Sequence, residues 1–251
     1  MKIHKLFLAV SLLALTSCAE LIQVAQSLEL DTNAPLTQNE IIAGLKEALI
    51  VGTDSSSSKL GILDGYYGDN LIKILLPPEA DIIVNNAGKI PGGSKFIEDV
   101  VLKINRAAED AASEAKPIFA NSIKSMSITD ALGILKGADN AATRYLHTTT
   151  YTQLVDLYSP KIKSSLDKKI VGNVSTTDSW NKLTGEWNKI ANSIVGQIGG
   201  FKPVNISLEN YLTEQALNGL FLKIEEEEKQ IRTDPLARVT TLLKRVFGSA
   251  N

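Results

Sequence analysis

Three charged residues on one predicted helix form the densest cluster of side chains that could do chemistry. Arg106 precedes Glu109 by three residues and Asp110 by four, so all three share one helix face. Two carboxylates can act as acid and base where burial separates their pKa values. The same spacing is typical of ion pairs, and we interpret it mainly as a pair that fixes this helix to a neighbour. A polar cluster that faces a ligand, with Arg106 and Asp110 as binding residues, is the alternative.

A second polar group lies in an alanine-rich segment further along the chain. Its members are Asn140, Arg144 and Tyr145. Arginine suits carboxylate or phosphate ligands because its guanidinium is planar and stays charged. The three residues are therefore further candidates for ligand binding. In the structural alternative, Arg106 and Arg144 both meet Asp110 across a helix interface.

His147 is the one imidazole beyond the N-terminal segment, because the other histidine is His4. A Ser-His-Asp or Cys-His catalytic arrangement would have to use His147, because histidine is the residue type that exchanges protons most readily near neutral pH. The sequence has no Gly-x-Ser-x-Gly elbow. We expect His147 to end a helix and cap its carbonyls, and we predict no catalytic residue.

Two further features are interpreted structurally. Residues 225–228 are four consecutive glutamates, which could bind a hard cation. Successive residues of a helix point about 100° apart, however, so we expect a solvated helix face. Trp180 and Trp187 lie on one face, and we expect them in the core, with stacking on a ligand as the alternative. No metal site and no cofactor are predicted.

Composition excludes several classes of protein. The 251 residues include one Cys and two His, too few for an intrachain disulfide, a Cys-rich zinc site or a multi-His metal cluster. The net charge of −2 gives no bulk basic surface, so we predict no nucleic-acid partner. A hydrophobic content of 44% with 22% charged residues is typical of a globular protein.

The N-terminus resembles the signal peptide of a bacterial lipoprotein. A basic start precedes an apolar run at residues 6–15, which is too short to span a bilayer. Small residues then lead to Cys18, the position at which a lipobox cysteine is acylated. We predict a signal peptide at 1–17, a lipidated N-terminus and tether at 18–36, and a folded domain at 37–248. Ala19 favours sorting to the outer membrane, and a plain secretory signal with an incidental cysteine is the alternative.

The domain itself is predicted to be an all-α, single multi-helix bundle. Capping patterns begin helices at Thr37, Ser94, Ser127 and Ser207. We expect the first helix to weaken at the serines 55–58, another to be interrupted at Pro160, and the last to begin at Pro235. Alanines at 107, 108, 111, 112 and 115 form a face that another helix can approach closely.

One irregular segment, about 61–78, interrupts the helical pattern. It contains three glycines and two prolines around the apolar run at 71–76. That run is either a short strand or an extended loop. Because a lone strand needs a partner and the sequence offers no second one, we predict the extended loop.

Several ordered blocks of the sequence resemble the bacterial DUF4197 family, whose function is unknown and which often follows lipoprotein signals. The blocks are residues 36–49 (LTQNEIIAGLKEAL), 72–78 (IKILLPP), 105–112 (NRAAEDAA) with 116–119 (KPIF), 140–146 (NAATRYL), and 216–221 (ALNGLF) through 227–232 (EEKQIR) to 243–248 (LKRVFG). The resemblance implies an all-helical domain of the cell envelope and brings no activity. The serines at 55–58 depart from the more apolar family pattern.

These features favour an outer-membrane lipoprotein that faces the periplasm and acts, without catalysis, as a helical interaction module. Its anchor would be the lipid on Cys18, and its partner a protein or a small amphipathic ligand. The alternative is a lipid- or hydrophobe-binding protein with an internal pocket of about 300 Å³ or more, lined by the alanine face and both tryptophans. A third hypothesis is an uncharacterised hydrolase, which requires Arg106, Asp110, Arg144 or His147 to meet in one open cleft.

Overall fold

Helices make up almost all of the regular structure of this chain. The computed structural model describes residues 35–90, 92–169 and 173–248, and none of these residues is in a strand. The α-helices are α1 (Gln38–Leu60), α2 (Asp81–Val84), α3 (Gly93–Ala112), α4 (Lys116–Ser125), α5 (Ile128–Leu135), α6 (Ala141–Asp167), α7 (Thr176–Ala191), α8 (Ile194–Ile198), α9 (Leu208–Thr233) and α10 (Thr241–Gly248). The all-α prediction is confirmed. The predicted signal peptide and Cys18 lie outside the described residues.

Local sequence signals set most helix starts. Thr37 accepts the Glu40 N–H at 3.2 Å while the Glu40 carboxylate accepts the Thr37 N–H at 2.8 Å, which completes the predicted capping box. Ser127 begins α5 in the same way, and Ser207 begins α9. A 3₁₀ turn at Ser113–Ala115 precedes α4, so the chain restarts its helix at Pro117 as expected.

Three predicted helix boundaries are wrong, the first two because tertiary contacts outweigh local propensity. Helix α1 continues through the serines to Leu60, and there Ser58 and Ser55 bond to side chains of α4 and α9. Helix α6 runs through Pro160 with the flanking Tyr158 and Ile162 fully buried. Helix α3 begins at Gly93, after Gly92 in the left-handed region, and not after a cap at Ser94.

The last helix also begins later than predicted. Residues Pro235–Ala237 form a 3₁₀ turn, and α10 starts at Thr241. Leu236 and Val239 are 88% and 66% exposed, so they do not share the buried face of Leu243 and Val246. The Arg238 guanidinium donates to the carbonyls of Ile231 and Arg232 at 2.9 and 2.8 Å, which turns the chain at the end of α9.

Helix α9 lies at the centre of the bundle, between α6 and α1, and α3 packs against α6 and α7. All five alanines of the predicted small-residue face are buried, and the Tyr158 hydroxyl of α6 donates to the Ala112 carbonyl at 3.1 Å. Trp180 and Trp187 are core residues, as expected. None of the helices in the described ranges is long and apolar enough to cross a membrane.

Candidate functional site: a groove along residues 71–75

The irregular segment contains a stretch whose side chains alternate between core and surface. Ile72, Ile74 and Leu76 are 6%, 3% and 7% exposed, whereas Leu71 and Leu75 are 72% and 61% exposed. Residues 73–77 belong to no helix or strand. Alternation with a period of two is the pattern of an extended chain with one buried face. The extended loop predicted here is therefore confirmed.

Asn105 of α3 holds this stretch in place. Its amide accepts the Ile74 N–H at 2.9 Å and donates to the Ile74 carbonyl at 2.7 Å and to the Val101 carbonyl at 2.7 Å. One side chain thus satisfies both backbone groups of a buried residue, as a neighbouring strand would. Asn105 is itself fully buried, so these hydrogen bonds lie in the core.

Glu109 and Arg106 hold the turns that precede the stretch. The Glu109 carboxylate accepts the N–H groups of Tyr66 and Tyr67, both at 3.2 Å. Arg106 donates to Glu109 at 2.7 Å and to Asp64 at 2.7 Å. Asp64 has φ of +65°, a left-handed conformation that is strained for a residue with a side chain. The ion pair with Arg106 offsets part of the energy cost of that conformation.

Helix α9 holds the opposite side of the same turns. The Tyr66 hydroxyl donates to the Ala216 carbonyl at 2.7 Å, and burial raises the pKa of Tyr66 well above its ordinary value. Lys223 pairs with Asp69 at 2.6 Å, and this hydrogen bond holds the pKa of Asp69 below its ordinary value. Because residues of both α3 and α9 bond to the segment, its exposed leucines extend from a backbone that is fixed on two sides.

An open groove of about 310 Å³ runs between this stretch and α9. Its lining residues are Leu71, Ile72, Lys73, Ile74, Leu75, Tyr211, Gln215, Asn218, Gly219 and Leu222. They include one cation and no carboxylate. Lys73 lies 3.8 Å from the centre of the Tyr67 ring and forms no ion pair among the described residues.

Two other cavities do not match the predicted internal pocket. One, of about 20 Å³, lies between α1 and α9 and is little larger than a single water molecule. The other is an open depression of about 250 Å³ beside Lys103, whose ammonium bonds to Val174 and Ser179 at 2.8 Å. Neither of these cavities, nor the groove, is lined by the alanine face or by the two tryptophans.

The predicted Arg106–Asp110 cluster is divided between two neighbours. Arg106 forms the expected pair with Glu109, but Asp110 faces the end of α6, where it accepts from Ser165 and pairs with Lys168 at 2.5 Å. Although burial raises it, these hydrogen bonds leave the pKa of Asp110 below its ordinary value.

Asn140, Arg144 and Tyr145 lie at the other end of α6. Ser165 is the residue of α6 that donates a hydrogen bond to Asp110, and it lies about 30 Å from Arg144 along the helix. The predicted contact of Arg106 and Arg144 with Asp110 is therefore not formed. Asn140 donates to Glu225 at 3.3 Å, Arg144 is exposed, and burial raises the pKa of Tyr145. The five candidate residues do not form one site.

His147 was expected at a helix end, but it lies within α6. Its exposed ring stacks on Tyr151 at 4.6 Å and contacts Phe221 at 4.8 Å between ring centres. His147, Arg106 and Asp110 do not meet in one cleft. His147 lies near the start of α6, whereas Asp110 of α3 contacts Ser165 near the end of α6. The arrangement required by the hydrolase hypothesis is not present in the described residues.

The expectation of a solvated glutamate face holds only in part, since Glu228 is buried. Its carboxylate accepts the N–H groups of Ala142 and Thr143 at 2.9 and 2.8 Å, and pairs with Arg232 at 2.8 Å. Glu228 thus caps the start of α6 from the side of α9. No group of three or more His, Cys, Asp or Glu in the described ranges is placed to hold a metal ion.

The residues that build the groove were missed by reasoning from the sequence. Asn105 is the one signal that could have revealed it, as an amide among the apolar positions of α3. A buried amide must find partners, and an unpaired apolar stretch such as 72–76 is an obvious one. Gln215 and Asn218 carry no such signal, because amides are common on exposed helix faces.

Comparison with known proteins gives the family. The family model described as "Protein of unknown function (DUF4197)" matches residues 35–248, which confirms the resemblance noted from the ordered blocks. No curated protein matches the chain. No solved structure matches it either.

Proposed function

The chain belongs to the DUF4197 family, and we propose that it is a lipoprotein anchored through Cys18 at the periplasmic face of the outer membrane. Its helical body acts without catalysis, as an interaction module that binds a partner in the groove between residues 71–75 and α9. The anchor and the location rest on the order of basic start, apolar run, small residues and cysteine.

The groove is the observation that carries the binding role. Exposed leucines on flexible loops are common, but Leu71 and Leu75 extend from a backbone fixed by Asn105 on one side. On the other side, Tyr211 donates to the Leu75 carbonyl at 3.2 Å. Rigid display of apolar side chains beside polar groups lowers the entropy cost of association. Polar groups suited to acid–base work, such as Arg106 and Glu109, are already committed to holding the segment.

Cys18→Ser tests the anchor. The variant is expected to leave the membrane fraction and to lose incorporation of an alkyne-labelled fatty acid. It lacks the cysteine that would carry the acyl chains, and stable attachment needs more than one such chain. Ser17→Ala is the matched control, since it keeps a small residue before the cysteine, and it is expected to remain membrane-bound and labelled. Full membrane attachment of unlabelled Cys18→Ser would contradict the anchor.

Site-specific photocrosslinking in the native host tests the groove. A benzoylphenylalanine at position 71 is expected to give a discrete adduct that mass spectrometry identifies. The same probe at position 236, an exposed leucine on another part of the surface, is the control and is expected to give none. Identical adduct patterns from both positions, or none from position 71, would contradict a binding role for the groove.

A further inference from the structure

We infer that the groove recognises an extended peptide, which adds as a strand along the backbone edge of Lys73–Leu75. This inference deepens the proposed function and rests on it, because it names the chemical class of the partner. Recognition by strand addition takes its affinity from main-chain hydrogen bonds and its specificity from alternate side chains.

One edge of the stretch is paired by Asn105. Ile74 directs its N–H and its carbonyl to Asn105. In an extended chain the backbone groups of successive residues point to opposite edges, so those of Lys73 and Leu75 point away from Asn105. Two groups near this second edge are already bonded: the Lys73 N–H donates to the Asp69 carbonyl at 2.8 Å, and the Tyr211 hydroxyl of α9 lies 3.2 and 3.4 Å from the carbonyls of Leu75 and Leu76.

That second edge offers one donor and one acceptor. Among the described residues, the Leu75 N–H has no acceptor and the Lys73 carbonyl has no donor. An edge with unpaired N–H and carbonyl groups is a template for another strand. Because Asn105 fixes Ile74 between them, the Lys73 carbonyl and the Leu75 N–H are already held in the direction that a strand in the groove would need.

The opposite wall carries amides that suit the far edge of such a peptide. Gln215 and Asn218 are three residues apart and therefore share a face of α9, and both line the groove. Neither side chain has a hydrogen-bond partner among the described residues. Asn105 shows how an amide in this fold serves both backbone groups of an extended residue, and Gln215 or Asn218 can do the same from α9.

The side chains of the groove indicate the sequence of the peptide. Leu71, Leu75 and Leu222 are exposed aliphatic residues, which favours a peptide with aliphatic side chains at alternate positions. Lys73 is the one charge in the lining and has no carboxylate partner among the described residues, which favours an acidic residue or a C-terminal carboxylate. A hydrocarbon chain would leave the backbone groups and both amides unpaired, so a lipid fits this lining less well.

The probe is a phage-displayed library of random dodecapeptides, panned on the full chain from residue 18 with Cys18→Ser. Enriched peptides are expected to alternate aliphatic residues with polar ones and to contain a carboxylate. Binding of synthetic copies is measured with Leu75→Pro and its matched control Leu75→Ala. Both variants truncate the same exposed side chain, but only proline removes the N–H, and proline is tolerated at an unpaired edge position.

Leu75→Pro is expected to bind roughly tenfold more weakly than Leu75→Ala, because one main-chain hydrogen bond is lost. Methylation of single peptide nitrogens gives a second readout that needs no protein variant. If the peptide pairs as a strand, methylation of the one nitrogen that donates to the Lys73 carbonyl is expected to weaken binding about tenfold, because that main-chain hydrogen bond is lost.

Failure of the library to enrich any peptide would overturn the inference. Equal affinities of Leu75→Pro and Leu75→Ala, together with a methylation effect that is the same at every nitrogen of the peptide, would overturn it as well. Either result combined with a specific adduct from position 71 would contradict strand addition but would still support the interaction module. Loss of that adduct too would remove both.

Discussion

Asn105 and Ile74 are joined by two hydrogen bonds that replace the strand partner which residues 72–76 lack. Asn105→Ala leaves a buried N–H and a buried carbonyl without partners, and each such group costs about 1–3 kcal/mol. We expect a loss of about 2–4 kcal/mol in the free energy of unfolding, measured by urea titration. Asn218→Ala removes an exposed amide from the same groove and is the control, with an expected change within about 0.5 kcal/mol. Similar losses in the two variants would contradict this role for Asn105.

The close approach of Gly219 to Tyr66 fixes the distance between α9 and the irregular segment. A Cβ at position 219 would lie 2.8 Å from Tyr66 Cε1 and 3.3 Å from Ile72 Cβ. We expect Gly219→Ala to lower the free energy of unfolding by about 1–3 kcal/mol, because both neighbours are buried and must shift. Gly185→Ala in α7 is the control, since nothing lies within 4 Å of its Cβ. There the gain in helix propensity should stabilise the chain by about 1 kcal/mol. Two changes of the same sign in urea titration would disprove the steric argument.

Glu228 ties the start of α6 to α9 through hydrogen bonds that a short side chain cannot make. Glu228→Ala leaves the N–H groups of Ala142 and Thr143 unpaired and the Arg232 guanidinium without its carboxylate. We expect a loss of about 3–5 kcal/mol in the free energy of unfolding. Glu226→Ala breaks a more exposed pair with Lys223 and should cost no more than about 1 kcal/mol. Equal losses would mean that Glu228 is solvated, as the acidic run by itself suggests.

Glu47 is a buried carboxylate whose ionisation opposes folding. Its Oε2 has no hydrogen-bond partner in the described part of the chain, and burial raises the pKa of Glu47 while a hydrogen bond with Thr240 lowers it in part. Because the folded chain holds this proton to a higher pH than the unfolded chain, stability falls as the pH rises through that interval. Glu47→Gln should therefore be more stable than the wild type at pH 7, with the difference fading below the ordinary glutamate pKa.

Asp69 supplies the control of opposite sign for that pH titration. Its pKa is lowered by the hydrogen bond from Lys223, so its contribution is complete above the ordinary aspartate pKa and is lost as the pH falls through the lowered value. Asp69→Asn is expected to be less stable than the wild type at pH 7 and to approach it in acid. A stability difference for Glu47→Gln that does not change with pH would refute the assignment.

The sequence by itself determined the helices that begin at Thr37, Ser127 and Ser207. In each case a cap satisfies N–H groups only a few residues away, and a local hydrogen bond can be read from spacing alone. The buried alanine face and the family were predicted for similar reasons, because periodicity and ordered blocks are properties of the chain in one dimension. The absence of a strand at 71–76 also followed, since no partner strand was available.

The tertiary structure alone decided where the polar groups point. Arg106 and Asp110 share a helix face, yet one faces residue 64 and the other faces residue 168, because different elements pack beside each end of that face. Helix α6 continues through Pro160, since the contacts of Tyr158 and Ile162 outweigh the hydrogen bond that proline removes. The groove depends on two helices far apart in sequence that grip one segment from both sides. Its backbone edge is a property of that arrangement, because it depends on which elements pack on each side of the segment.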